Sequence, residues 1–108
     1  MTNSYQGALK KLLSIQASLD AENLATLPRN QVANLEKSKA GVYSEIQALQ
    51  AGQMGNLDSD YEVVTTEFSD CKSDFKSLAD WVAEKQKTDK FVLSMLSKGV
   101  SLALSLLV

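Results

Sequence analysis

The sequence predicts an all-α protein, either an up-and-down helical bundle or a long helical hairpin of three to four helices, with an apolar C-terminal helix. Apolar residues recur at alternating steps of three and four along most of the chain, which is the spacing of one helix face. The sequence has no alternating run of β-branched residues, and no Asn-Gly or Asp-Gly hairpin turn occurs. A length of 108 residues, with 44% of them hydrophobic, suits a single helical domain over residues 1–108.

The first helix is predicted over residues 4–23. Asn3 and Gln6, which stand three residues apart, are typical of a helix start because their side chains can bond the free N–H groups of the first turn. One side of this helix is continuously apolar. The residues of its core-facing stripe are Tyr5, Ala8, Leu12, Ile15 and Leu19.

The second helix is predicted over residues 28–51. Pro28 suits the first turn, because its φ is already helical and its missing N–H needs no partner there. Gly52 can adopt the left-handed conformation that ends a helix. Lys39 is expected at one position of the apolar stripe. The other residues of that stripe are Val32, Leu35, Val42, Ile46 and Leu49.

The third helix is predicted over residues 58–86. Asp58 and Ser59 precede Glu62, a spacing that indicates a capping box at the helix start. The apolar stripe that follows keeps the three-four spacing throughout. Its members are Tyr61, Val64, Phe68, Cys71, Phe75, Leu78 and Val82.

The fourth helix is predicted over residues 89–108. Since no proline or glycine separates residues 56 and 99, residues 58–108 form either one helix or two. A single helix of about 50 residues would be about 75 Å long, which a small globule cannot enclose. We therefore expect a break near residues 86–89, and a continuous helix only if the chain forms a polymer.

The C-terminal helix carries one narrow polar stripe on an otherwise apolar surface. The stripe is formed by Ser94, Ser97, Lys98, Ser101 and Ser105. This pattern favours a helix that is enclosed by protein and exposes one edge to solvent. We expect its apolar residues to contact a partner, with Trp81 as an anchor. The predicted contact residues are Trp81, Val92, Leu96, Val100, Ala103 and Leu106.

A membrane segment is the alternative interpretation of residues 91–108. The stretch is about as long as a minimal bilayer span, and Lys85, Lys87 and Lys90 precede it as a basic flank. In an assembled pore the polar stripe would face water, and Lys98 would set the ion preference. A lysine at the middle of a simple anchor, however, costs a few kcal/mol.

Composition argues against an enzyme, a cofactor, a metal site and a nucleic-acid partner. The chain has no histidine, and it lacks the glycine-rich phosphate loops and the nucleophile elbow that carry common chemistries. Its single cysteine, Cys71, excludes an internal disulfide and a cysteine metal cluster. The formal net charge of −2 does not suit phosphate binding.

These observations predict a non-enzymatic helical interaction or assembly protein. It would self-associate as a homo-oligomer, or bind a partner helix, through its apolar faces and its C-terminal helix. The alternatives are a membrane-active protein whose C-terminal helix inserts, and a small immunity- or chaperone-like binding protein. The first residues lack a signal-peptide core, so we expect a cytoplasmic location or export without a cleaved signal, with membrane association in the membrane-active alternative.

Overall fold

The computed structural model describes residues 4–21, 27–52, 60–85 and 94–107, and most of these residues are helical. The helices in this part of the chain, in order, are α1 (Tyr5–Asp20), α2 (Arg29–Gln50), the single turn α3 (Thr66–Ser69), α4 (Lys72–Lys85) and α5 (Ser94–Leu106). The described residues contain no strand, only an isolated antiparallel bridge between Ser4 and Asp60. The all-α prediction is confirmed.

The four long helices surround one core. The helix α1 packs against α2 and α5, α4 packs against the same two helices, and α3 contacts α2. A radius of gyration of 13.8 Å matches the value of about 13 Å expected for a compact chain of this size. The fold is thus a bundle and not a long hairpin. The apolar residues with no exposed surface are Ala8, Leu12, Ile15, Leu19, Leu35, Val42, Leu49, Phe68, Phe75, Leu78, Leu96 and Ala103.

The helix α1 begins at a serine cap and buries the predicted stripe. The Ser4 hydroxyl accepts a hydrogen bond from the Gly7 N–H at 3.1 Å, which satisfies one free donor of the first turn. Asn3, the expected start signal, lies outside the described residues. The helix ends at Asp20, three residues before the predicted boundary.

The helix α2 begins and ends close to its predicted bounds. Pro28 precedes its first residue, and Gly52, at a φ of +83°, takes the left-handed conformation after its end. The predicted place of Lys39 on the buried stripe is wrong. Ser38 is fully buried there, because residues 35, 38, 42, 45 and 49 share one helix face, and Lys39 is half-buried with its Nζ 3.8 Å from the Asp20 carboxylate.

The third helix differs most from its prediction. Residues 61–65 are not helical, and Thr65 at the end of this stretch is extended, so the helical turn α3 starts only at Thr66. The Thr65 hydroxyl accepts a hydrogen bond from the Phe68 N–H at 3.3 Å and so caps that turn. The predicted capping box at Glu62 is not formed, since Glu62 lies before the helix; Asp58 and Ser59 lie outside the described residues. The difference arises because the Glu45 side chain accepts hydrogen bonds from the N–H groups of Val64 and Thr65.

Residues 58–108 do not form one continuous helix. The helix α4 ends at Lys85, and α5 begins at Ser94 and packs against α4, which a straight continuation could not do. The predicted start of the last helix at residue 89 and its last residue, Val108, lie outside the described residues.

Candidate functional site

The apolar face of α5 lies inside the bundle. Leu96 and Ala103 have no exposed surface, and Val100 and Leu106 are buried as well. These four residues, which we expected to contact a partner, therefore contact the core of the chain itself. Val92 lies outside the described residues.

The polar stripe of α5 lies at the opposite edge of the helix. Lys98, Ser101 and Ser105 are exposed, and Ser97 is half-buried. The Ser105 hydroxyl donates a hydrogen bond to the Leu102 carbonyl oxygen at 2.6 Å. Ser94 is the first residue of α5. The stripe thus contains the solvent-facing positions of a helix that is otherwise enclosed on its apolar side.

A glycine lets α5 approach α1 closely. A Cβ atom at Gly99 would lie 2.7 Å from the Cβ of Ser18 and 3.6 Å from the Ile15 carbonyl oxygen. The first of these distances is shorter than carbon atoms tolerate, so a larger residue would push the helices apart. Gly99 therefore serves a helix contact inside the chain.

An open groove lies between α4 and α5. Its volume is about 200 Å³, below the range of about 300–1,000 Å³ that is usual for small-molecule sites. None of the side chains that line it is ionisable. The lining residues are Ala79, Val82, Ala83, Ser97, Val100, Ser101 and Leu104.

Small residues form both walls of this groove. Ala79 and Ala83 stand four residues apart on α4, and Ser97 and Ser101 stand four residues apart on α5, so each pair shares one helix face. Ala83 and Ser101 are exposed at the rim. Such walls allow the backbone of another helix to come close.

Trp81, the expected anchor, lies on α4 but does not line the groove. Its side chain is half-buried and packs against the core. Tyr43, at 52% exposure, is one of the large hydrophobic side chains that remain at the surface. Its hydroxyl accepts a hydrogen bond from the Gln47 side-chain amide at 2.9 Å.

A buried carboxylate holds the segment that precedes α3. Glu45 on α2 has no exposed surface. Its Oε2 accepts hydrogen bonds from the Tyr61 hydroxyl at 2.5 Å and from the Val64 N–H at 2.8 Å. Its Oε1 accepts two more from Thr65, from the N–H at 2.8 Å and from the hydroxyl at 2.7 Å. We call these residues, Glu45, Tyr61, Val64 and Thr65, the Glu45 cradle.

The hydroxyl of Tyr61 has a strongly perturbed pKa in the cradle. Burial raises the pKa of its hydroxyl well above the ordinary value of 10.0, and the hydrogen bond to Glu45 and the negative charge of Glu45 raise it further. The Tyr61 ring packs edge-to-face on Tyr5, with ring centroids 5.5 Å apart. Residues 60–61 are thereby attached both to α2 and to the start of α1.

Cys71 is buried where α2 meets α3 and α4. Its thiol is within hydrogen-bond distance of the Glu67 and Lys37 carbonyl oxygens, at 3.0 and 3.3 Å. Burial raises its pKa, and the Asp74 carboxylate adds to that shift while Lys37 opposes it. A protonated and enclosed thiol is a weak nucleophile, which is the behaviour of a packing residue. A Cβ at Gly41 would collide with this sulfur.

Polar side chains also connect α2 to α4. The Asn34 side-chain amide donates to Ser77 Oγ at 3.1 Å and to Gln31 Oε1 at 3.0 Å. Lys37 Nζ lies 3.5 Å from Asp74 Oδ2 in an ion pair. Among the described residues, the buried Asp74 Oδ2 has no hydrogen-bond partner.

Within the described ranges, no cluster of three or more Cys, Asp and Glu side chains is arranged to hold a metal ion. In the part of the chain that the structure describes, no helix combines the length and the apolar character needed to cross a membrane. Comparisons with protein families, with characterised proteins and with solved structures give no match to this chain.

The sequence pattern missed both the groove and the Glu45 cradle. Glu45 stands three residues after Val42 and four before Leu49, so it occupies the apolar stripe of α2. A lone carboxylate on an apolar stripe indicates that hydrogen-bond donors lie around it, because buried charges require partners. Ala79 and Ala83 gave no comparable signal, since small residues are common on helix flanks.

Proposed function

We propose that this chain is a non-enzymatic helical binding protein that takes a helix of a partner into the groove between α4 and α5. The observation that carries the proposal is the groove itself, which is open, uncharged and lined on both sides by small residues. A third helix packed on α4 and α5 would complete the layer that these two helices form.

The chemistry of the groove selects for an apolar helix face. Leu104 supplies aliphatic surface, and Val82 and Val100, each 2% exposed, form the floor of the groove. Ser97 and Ser101 supply hydroxyls that can bond within their own helix. The groove is too small for a typical cofactor. A helix that offers alanine or leucine at every third or fourth position fits both its shape and its polarity.

The helix can come from a second copy of the chain or from another protein. The first case makes the protein an assembly subunit, and the second makes it an immunity- or chaperone-like protein that shields the helix of its partner. In both cases the groove, and not the buried face of α5, supplies the contact, because Leu96 and Ala103 are already enclosed.

A matched pair of variants tests the groove. Ser101→Trp fills it from the exposed rim, and Ser105→Trp adds the same ring to an exposed position on α5 that does not line it. Self-association is measured by size exclusion with light scattering over a range of concentrations. Helix binding is measured by backbone amide NMR shifts on titration with a synthetic amphipathic helical peptide of leucine and alanine on one face and lysine and glutamate on the other.

The proposal expects Ser101→Trp to abolish self-association or peptide binding and Ser105→Trp to retain it. Shift changes should be centred on the lining residues. A chain that stays monomeric at all concentrations and binds no peptide would refute the proposal. Binding that survives Ser101→Trp, or shift changes away from α4 and α5, would refute it equally.

A further inference from the structure

The segment of residues 60–65 has a helical apolar spacing but is not helical, and Thr65 at its end is extended. Tyr61, Val64, Phe68 and Cys71 follow one another at steps of three, four and three, which is the spacing of a helix face. In the structure this face is interrupted: Phe68 is fully buried, whereas Val64 is 39% exposed. The apolar spacing and the observed conformation therefore disagree in this segment.

The Glu45 carboxylate occupies the donors that a helix would use. In an α-helix that included residues 60–65, the N–H groups of Val64 and Thr65 would bond to the carbonyl oxygens of residues 60 and 61. Those same two N–H groups donate to Glu45 at 2.8 Å each. The carboxylate and the helical backbone bonds thus compete for the same donors.

We infer that residues 60–65 form a two-state segment, which Glu45 holds extended and which becomes helical, continuous with α3, when Glu45 releases it. With Glu45 present the extended state wins, because a carboxylate with no exposed surface would lose all four of its hydrogen bonds. Without it, the helical state supplies partners for both N–H groups and aligns Val64 with Phe68.

Release also uncovers the start of α1. The bridge between Ser4 and Asp60 and the edge-to-face contact between Tyr5 and Tyr61 both depend on the extended conformation. The segment therefore covers the start of α1, and the hydrogen bonds of Glu45 hold it there. This device is separate from the groove between α4 and α5.

The test replaces the carboxylate without emptying its site. Glu45→Met retains a chain of similar length with no acceptor for these donors, and Glu45→Gln retains one acceptor oxygen. Glu36→Met, at an exposed position of the same helix, is the matched control. The readout is the sign of the 13Cα secondary chemical shifts of residues 60–65 in the full chain, negative for extended and positive for helical backbone.

The inference expects negative shifts for the unmodified chain and for Glu36→Met, positive shifts for Glu45→Met, and intermediate values for Glu45→Gln. Shifts that stay negative in a folded Glu45→Met protein would overturn it. If Glu45→Met does not fold, Tyr61→Phe decides, since it removes one of the four hydrogen bonds and keeps the ring. Its shifts must then move toward positive values; unchanged shifts would overturn the inference.

Discussion

Apolar burial holds both sides of this bundle, but polar contacts contribute to the two sides very differently. On the apolar side, α1 and α5 contribute buried aliphatic residues, and Gly99 brings the two helices into close contact. On the polar side, α2 meets α3 and α4 through the Glu45 cradle, the bonds of Asn34 and the ion pair of Lys37.

Apolar burial and polar contacts affect different properties: the first mainly the stability, the second also the backbone conformation. Apolar burial is non-directional, so the apolar side contributes free energy in proportion to the area that it removes from water. Hydrogen bonds to a buried carboxylate are directional, and they fix which backbone conformation the neighbouring segment adopts. We therefore expect substitutions on the apolar side to change stability most, and substitutions in the cradle to change conformation as well.

Removal of a core side chain from the apolar side should have the largest effect. Leu96 on α5 has no exposed surface, so Leu96→Ala should lower the free energy of unfolding by about 2–5 kcal/mol. Leu13→Ala on α1 is the control, because Leu13 is 42% exposed and its loss should cost about 0.5 kcal/mol or less. Urea unfolding followed by circular dichroism measures both. Equal effects would mean that the burial of α5 contributes little.

Loss of one hydrogen bond of the cradle should have the next largest effect. Tyr61→Phe removes the hydroxyl that donates to Glu45 and should cost about 1.5–3 kcal/mol, the usual range for a bond to a charged group. Unfolding by urea at pH 7 measures this loss. An unchanged free energy of unfolding in Tyr61→Phe would mean that this hydrogen bond does not stabilise the polar side.

The raised pKa of Tyr61 also predicts that the stability of the chain depends on pH. The pKa of Tyr61 is raised in the folded chain, so the folded state keeps a proton that the unfolded state releases above the ordinary pKa of 10.0. The contribution of Tyr61 to stability is therefore complete below pH 10 and decreases as the pH rises above it. The stability difference between the parent chain and Tyr61→Phe, measured by urea unfolding from pH 8 to 11, should shrink above pH 10. A constant difference would contradict the raised pKa.

The apolar side was largely predictable from the sequence. The stripe of α1 follows from spacing alone, because it depends on residues close together in sequence. The break between α4 and α5 follows from the length that one continuous helix would have. The sequence alone could not show whether the apolar residues of α5 contact a partner or the core of the chain itself. Leu96 and Val100 are apolar whether they face a partner or the chain's own core, and only the packing of α5 against α1 and α4 distinguishes the two.

The polar side was not predictable, for a physical reason. Residues 61–71 satisfy the helical spacing, so periodicity alone assigns them to a helix. The actual conformation depends on an acceptor 16–20 residues earlier in the chain. Such a tertiary contact overrides the assignment that the apolar spacing favours. The groove escaped prediction because it depends on how two helices are placed side by side.

A smaller effect is expected where the helices of the apolar side approach. Gly99→Ala places a Cβ 2.7 Å from Ser18 and should lower the free energy of unfolding by about 1–3 kcal/mol through overpacking. Gly7→Ala is the control, since its nearest contact of 3.4 Å is ordinary. That change should be neutral or should stabilise α1 by up to about 1 kcal/mol. Thermal unfolding measures both, and the two changes should have opposite signs or clearly different sizes.

The ion pair of the polar side should contribute least. Lys37 is 61% exposed and lies 3.5 Å from Asp74, so Lys37→Gln should cost about 1 kcal/mol or less, and high salt should remove the difference. Lys10→Gln, at an exposed position of α1, is the control. Urea unfolding at low and high ionic strength measures both variants. A cost as large as that of Tyr61→Phe would mean that exposed charges, and not the buried carboxylate of Glu45, hold α2 to its neighbours. A small, salt-sensitive cost would mean that this ion pair is not what holds α2 to its neighbours.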